Sequence, residues 1–168
     1  MKNEEALAYI QHEFIERFGE SAEDCTDPEQ TREALGVLTG LTVGLATKLV
    51  HQDARGEIYS LLLPTNQELM VFHCKAGYLR GGHSHDVPEV VLVLAGHFHY
   101  HKWLNGQEVV TEMYPGNCEL NRPGEAHMGE FLEDTWLAEI KLGEHAGVGQ
   151  WSTTDFEPFR QRVRESMK

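Results

Sequence analysis

From about residue 47 to residue 142, short apolar or alternating runs are separated by turn residues. The runs are TKLVHQ, EIYSLLL, ELMVFHC, EVVLVLAG, HFHYHKWL, QEVVTEM, CELNR and TWLAEIKL. The turns between them include Asp53-Ala54-Arg55-Gly56, Pro64-Thr65-Asn66, Asn105-Gly106 and Pro115-Gly116. Short strands at this close spacing predict an all-β sandwich or barrel. Asn105-Gly106 predicts a two-residue hairpin, because such a turn needs a positive φ at both positions.

Both ends of the chain have helical patterns. Apolar residues with a period near 3.6 predict an amphipathic N-terminal helix: Leu7, Ile10, Phe14 and Phe18. Asp27-Pro28 predicts the start of a second helix. Residues 153–168 predict a C-terminal helix that begins at a Thr or Asp cap. We therefore expect an N-terminal helical extension (1–46), a barrel domain (47–142) and a C-terminal tail with a helix (143–168).

The segment Ala34–Thr47 is uncharged and carries glycine at every fourth position, a spacing found in close-packed membrane helices. Its fourteen residues are fewer than the roughly 18–20 that a membrane helix needs. We expect burial against the domain or a partner subunit, as helix or strand, and no membrane association.

Charge and cysteine content narrow the function classes. The formal charge of -13 repels phosphate backbones and anionic lipid, so nucleic acid is not an expected partner. The acidic start MKNEEALAYIQHEF does not resemble a secretory signal. Three cysteines without CxxC spacing fit a reducing compartment. These features predict a cytoplasmic protein.

The stretch from residue 77 to residue 96 concentrates metal-ligating residue types. Alternate residues of a strand share a face, so His83, His85 and Glu89 can point into one barrel interior. His127, just after the Pro123-Gly124 turn, is a fourth candidate. Three imidazoles and one carboxylate leave positions open on a divalent ion, which suits catalysis better than a closed structural site. The donor set suits Fe, Mn, Ni, Co or Zn.

These residues resemble the cupin superfamily. The first cupin motif matches at Gly77, His83, His85, Glu89 and Gly96, and the second at Gly116, Pro123-Gly124 and His127. The resemblance covers roughly residues 47–142. It implies a double-stranded β-helix jelly-roll barrel that binds one divalent transition metal through His83, His85, Glu89 and His127. A fainter resemblance links Asp53-Ala54-Arg55-Gly56 and Arg80-Gly81-Gly82-His83 to nucleotide-sugar ketoisomerases and epimerases, and it hints at sugar-like substrates.

Two strands raise further expectations. In HFHYH we expect Phe98 and Tyr100 to face inward and the three histidines outward, so that Tyr100 lines the metal pocket and at most two of these histidines share a second ion. EVVLVLA is apolar on both faces and needs a cover outside. The N-terminal helices or a second subunit can supply it. Many cupins dimerise through such a surface, so we expect a homodimer.

The sequence as a whole predicts a metal-dependent cupin enzyme acting on a small polar substrate, a hydroxy acid or a sugar-like molecule. Isomerase or lyase chemistry and oxygenase chemistry both remain open. Tyr100 and Glu130 are the candidate proton-transfer residues. Four cations lie near the motif strands and would favour an anionic substrate if they face the pocket: Lys75, Arg80, Arg122 and Lys141. The alternative is a non-catalytic protein, a sensor or binding protein, that holds a metal and a metabolite in the same pocket.

Overall fold

The computed structural model describes residues 48–62, 68–142, 147 and 149–168. The predicted N-terminal helices and the segment Ala34–Thr47 lie outside the described residues. No helix in the described part of the chain is long and apolar enough to cross a membrane.

The described residues are mostly β-strand. In chain order the strands are β1 (Lys48–Asp53), β2 (Gly56–Leu62), β3 (Glu68–Cys74), β4 (Leu79–His85), β5 (Glu89–Ala95), β6 (Phe98–Leu104), β7 (Gln107–Met113), β8 (Cys118–Asn121), β9 (Ala126–Phe131), β10 (Thr135–Lys141) and β11 (Thr153–Asp155). A helix, α1 (Glu157–Glu165), follows them. Asn105 and Gly106 both have positive φ, 52° and 78°, so the predicted hairpin turn between β6 and β7 is confirmed.

The strands form two antiparallel sheets. One has the order β1-β2-β3-β10-β5-β8 and the other the order β11-β4-β9-β6-β7. The core between them takes residues from both sheets: Cys74, Val91, Val93 and Leu137 from the first, and Phe98, Tyr100, Met113 and Phe131 from the second. The predicted all-β jelly-roll architecture is confirmed. The core is continuous from one sheet to the other, which places β4, β5 and β9 around one interior.

The C-terminal stretch is only partly helical. Thr153–Asp155 is strand β11 and pairs with His83–His85 of β4, whereas the sequence predicted that the helix begins here. The helix begins at Glu157, and its N-cap is Phe156, which makes no side-chain cap. The prediction was wrong at this end because the exposed edge of β4 offers hydrogen-bonding partners that local propensity cannot register. Helix α1 buries Phe159 and Val163 against Ala126 and Met128 of β9.

The strand with two apolar faces is β5. Val90 and Leu92, on the face away from the core, are fully buried within a single chain. The apolar outer face of β5 is therefore shielded from water without a second subunit. The homodimer stays a prediction.

Gly81 lets β4 approach β9 closely. It has φ +90°, and a Cβ there would lie 2.9 Å from the carbonyl oxygen of His127. The β4–β9 register shifts between Gly81 and His83, and this irregularity sets His83 opposite His127. A larger residue at position 81 would push the two histidine-bearing strands apart.

We expect Gly81→Ala to reduce stability more than Gly77→Ala. Gly77 has a similar φ of +83° but nothing of the described chain within 4 Å of a Cβ. The control carries only the left-handed backbone penalty of about 1–2 kcal/mol. Gly81→Ala adds a backbone clash, and overpacking of this kind costs about 1–3 kcal/mol more. Urea unfolding of the two variants measures the difference, and equal losses would mean that β4 relaxes away from β9 without cost.

Candidate metal centre

Three histidines converge at one wall of the barrel interior. His83 and His85 come from β4 and His127 from β9, and one ring nitrogen of each lies within 4.8 Å of the other two. Their ring centroids are 4.7–5.4 Å apart. His85 and His127 are buried, and His83 is partly exposed. The structure thus brings together the three histidines that the motif spacing singled out.

Two of the imidazoles are oriented by partners on their outer nitrogens. His127 Nδ1 lies 3.1 Å from the backbone oxygen of Glu125, an acceptor that requires a proton on Nδ1. His85 Nδ1 lies 3.1 Å from the Thr153 hydroxyl of β11. His85 Nε2 is buried and makes no hydrogen bond within the described part of the chain. Outer contacts of this kind leave the inner lone pairs available and are typical of metal-binding histidines.

Glu89 lies against the same cluster and is fully buried. Its Oε1 is 3.3 Å from His85 Nε2, and its Oε2 is 3.2 Å from His127 Nε2. Two ligands that each sit about 2.0–2.2 Å from a shared ion are roughly 3–3.5 Å apart. These separations therefore fit a carboxylate that shares one divalent ion with the two imidazoles.

Two residues that motif spacing could not identify hold the Glu89 carboxylate. Lys141 Nζ donates to Oε1 at 2.7 Å, and Asn121 Nδ2 donates to Oε2 at 3.0 Å. The Asn121 amide also lies 2.6 Å from the Tyr100 hydroxyl, and the Lys141 ammonium lies 4.0 Å from the centre of the Trp151 ring. Burial by itself raises the pKa of Glu89, but Lys141, His85 and His127 hold it well below its usual value. Glu89 is thus an ionised carboxylate in the interior.

His83 and His127 are neutral at physiological pH. Burial, followed by the charges of His127 and His85, lowers the pKa of His83 to about 3. Burial likewise lowers the pKa of His127. A neutral imidazole keeps the lone pair that metal binding requires. The donor set of three imidazoles and one ionised carboxylate therefore fits a divalent transition metal.

His83 and His127 line a cavity of about 70 Å³. Its apolar wall is formed by Phe72, Val91, Phe98, Phe131 and Leu137, and its polar wall by Arg80, His83, Tyr100, His127 and Glu139. Arg80 is buried, its Nη2 donates to Asp53 at 3.3 Å, and its Nε has no partner among the described residues. Burial, together with the charge of Glu89, raises the pKa of Glu139 well above its usual value. The cavity thus combines His83 and His127 with one cation and with a carboxyl group whose pKa is raised.

The other candidates from the sequence fall in different places. Tyr100 lines the cavity, as its strand position predicted. Glu130 does not line it and instead contacts His99 and His101. Lys75 and Arg122 are exposed. The two segments of the fainter sugar-isomerase resemblance do meet, through the contact between Asp53 and Arg80.

Comparison with known proteins supports the fold. No protein-family model and no curated protein sequence matches the chain. Oxalate decarboxylase from Bacillus subtilis, in its structure at pH 4.6, aligns with a TM-score of 0.54 and 18% identity over 66% of this chain and 30% of that chain. Vicilin from hazelnut, Corylus avellana, aligns with a TM-score of 0.55 and 10% identity over 66% of this chain and 33% of that chain. The chain therefore spans only about a third of the length of these proteins.

Both similar structures have the cupin fold, so the predicted resemblance is confirmed at the level of the fold. At these identities the comparison extends no further. One structure of the Bacillus subtilis decarboxylase, which aligns with a TM-score of 0.54, is described by its Mn(II) centres.

Lys141→Met should destabilise the metal-free protein strongly. It leaves the fully buried Glu89 carboxylate without its closest cation, and breaking a buried pair in this way costs about 3–5 kcal/mol. A divalent ion at the cluster offsets the same charge, so the loss should be smaller in the metal-loaded protein. Urea unfolding with and without a chelator measures both values. The exposed Lys75→Met is the control, and an equally small effect of the two variants would show that Glu89 does not depend on Lys141.

Acid should destabilise the metal-free protein through His83. The unfolded chain binds a proton at this residue below about pH 6.5, whereas the folded chain does so only near pH 3. The free energy of unfolding is therefore not reduced by His83 above pH 6.5, and it declines as the pH falls towards 3. As the pH falls across this range, the parent should lose more unfolding free energy than the His83→Asn variant does. His51→Asn, at an exposed histidine, controls for loss of an imidazole, and identical pH slopes for all three proteins would contradict the assignment.

Proposed function

We propose that the chain is a metal-dependent enzyme that acts on a small substrate carrying a carboxylate, such as a hydroxy acid or an acidic sugar. The observation that carries the proposal is one cavity lined both by His83 and His127 of the histidine cluster and by the buried cation Arg80. A metal-ligand set beside an unshared guanidinium nitrogen is suited to an anion that binds with one end at the ion and the other at Arg80.

His83, His85, Glu89 and His127 would hold the ion. Bound there, a divalent ion supplies Lewis acidity towards a substrate oxygen. The donor types are compatible with Fe, Mn, Ni, Co or Zn. The Mn(II) centres of the similar decarboxylase make manganese the first metal to test.

Of the other polar groups of the cavity, Arg80 is suited to binding the substrate and Glu139 to proton transfer. Arg80 presents a planar, permanently charged group that pairs well with carboxylates. Burial and the Glu89 charge raise the pKa of Glu139 well above its usual value, which favours the protonated carboxyl group that could donate a proton to a substrate in the cavity. Tyr100 also keeps its proton, because burial and the Glu89 charge raise the pKa of Tyr100 well above its usual value. Glu139 is therefore our first candidate for the acid, and Tyr100 is a hydrogen-bonding group.

The decisive experiment combines metal analysis with turnover assays. The purified protein is loaded with each candidate metal and assayed against a panel of hydroxy acids and sugar acids, in air and without oxygen. An oxygen requirement selects oxygenase chemistry, and anaerobic turnover selects isomerase or lyase chemistry. Metal and ligand binding without turnover in either condition would instead identify a non-catalytic binding protein. Full metal content in a His83→Ala, His85→Ala variant would exclude the proposed centre.

Arg80→Met should weaken carboxylate substrates selectively. A hydrogen bond to a charged partner contributes about 1.5–3 kcal/mol, so KM should rise about 10- to 150-fold for the acid. The corresponding amide, which lacks the negative charge, should be affected far less, and the metal content should not change. Arg122→Met, at an exposed arginine, serves as the matched control. An equal rise in KM for acid and amide would remove Arg80 from substrate recognition.

A further inference from the structure

A second group of metal-ligating side chains lies on the outside of the barrel. We call His99, His101 and Glu130 the outer cluster. His99 and His101 are alternate residues of β6, and the β6–β9 register sets Glu130 directly opposite His99. Their neighbours Phe98 and Tyr100 point into the core, so the outer cluster belongs to the opposite face of the sheet. The C-terminal helix covers part of this face, where Phe159 lies against the ring of His101.

The outer cluster converges on one carboxylate oxygen. Glu130 Oε2 is 3.2 Å from His99 Nδ1 and 3.3 Å from His101 Nε2, and the three ligand atoms lie within 4.8 Å of one another. Two ligands that each lie about 2.0–2.2 Å from a tetrahedral ion are roughly 3–3.5 Å apart, which matches the separation of Glu130 Oε2 from each imidazole nitrogen. His101 is buried, whereas the Glu130 side chain is 40% exposed. An ion could therefore reach the outer cluster from solvent and complete its coordination with water.

The far side of His101 has the partner that a metal-binding imidazole usually has. Its Nδ1 lies 2.6 Å from Glu108 Oε1, and the same oxygen accepts a hydrogen bond from Arg162 Nη1 of α1 at 2.6 Å. A carboxylate at Nδ1 favours a proton there and turns the Nε2 lone pair towards Glu130. A lone pair facing a carboxylate oxygen is repulsive unless a cation stands between them. That cation is either a second proton on His101 or a metal ion.

We propose that the outer cluster is a second site for a divalent transition metal of the zinc class, separate from the barrel interior. Two imidazoles and one carboxylate are ligand types that Zn(II), Ni(II) and Cu(II) share. The net charge of -13 favours the accumulation of cations at the surface. Nearby, Glu112 Oε1 lies 4.0 Å from His99 Nε2 and adds negative charge on the exposed side. The site does not depend on the enzymatic proposal, because it shares no ligand with the interior centre.

An ion here would tie together parts of the chain that are distant in sequence. Its ligands come from β6 and β9, and through Glu108 and Arg162 it reaches β7 and α1. Binding to the native state alone stabilises that state by mass action. The outer site would therefore stabilise the attachment of the C-terminal helix to the sheet.

The experiment counts zinc in the full chain by equilibrium dialysis followed by elemental analysis. We expect two equivalents in the parent, one in a His99→Asn, Glu130→Gln variant, and one in a His83→Ala, His85→Ala variant. The matched control is Glu133→Gln, which removes an exposed glutamate next to β9 and should keep two equivalents. Glu108→Gln should keep the ligands but lower the zinc affinity of the outer site about 10- to 100-fold, as loss of a partner behind a ligating histidine does.

Two results would overturn the proposal. One is a folded His83→Ala, His85→Ala variant that binds no zinc, which would mean that His101 is held by a proton instead. The other is a His99→Asn, Glu130→Gln variant that binds as much zinc as the parent, and this comparison decides alone if the interior variant does not fold. Loss of the outer equivalent only would leave the enzymatic proposal intact. If the parent bound only one equivalent of zinc, and the His99→Asn, Glu130→Gln variant lost it, the interior metal would be excluded and the outer site would stand.

Discussion

The fully buried Glu89 carboxylate is the constraint on which the interior of this barrel depends. An ionised group that has lost all contact with water must be paired and hydrogen-bonded, or the fold is heavily destabilised. Lys141 supplies the charge, Asn121 supplies a neutral donor, and two imidazoles complete the surroundings. These partners come from β10, β8, β4 and β9, so one carboxylate fixes the relative positions of strands from both sheets. The site and the fold are consequently stabilised by the same contacts.

The two faces of the β6–β9 pair have different chemistry although the same strands form both. On the inner face, apolar rings and Tyr100 surround the cavity beside His127. On the outer face, His99, His101 and Glu130 form a polar group under the edge of α1. Alternation along each strand keeps these groups apart, since successive side chains point to opposite sides. The two faces of this strand pair therefore contribute to two separate clusters of polar side chains.

Local patterning predicted most of the strands, though not β9, together with the Asn105-Gly106 turn and the convergence of His83 and His85, because these depend on residues close in sequence. Lys141 and Asn121 could not be assigned to Glu89 in advance, since they are 52 and 32 residues away and meet it only through the pairing of β5 with β10 and β8. Glu130 was expected to take part in catalysis, but its strand register places it beside His99 on the outer face. The strand spacing in HFHYH predicted that at most two of its histidines share a second ion. It could not identify Glu130, which comes from β9. Strand β11 was missed for the same reason: its partner is an edge strand far away in sequence.

The contact between Thr153 and His85 also bears on the order of events during biosynthesis. The two residues are 68 positions apart, and the hydroxyl that contacts this imidazole belongs to a strand that can pair only after most of the barrel has been made. At translation rates of about 5–20 residues per second, the ribosome takes roughly 3–14 s to add the intervening chain. During that interval a nascent barrel has His83 and His85 but not the strand that contacts His85. The surroundings of His85 are therefore completed only late in synthesis, after His127 and most of the barrel have been made.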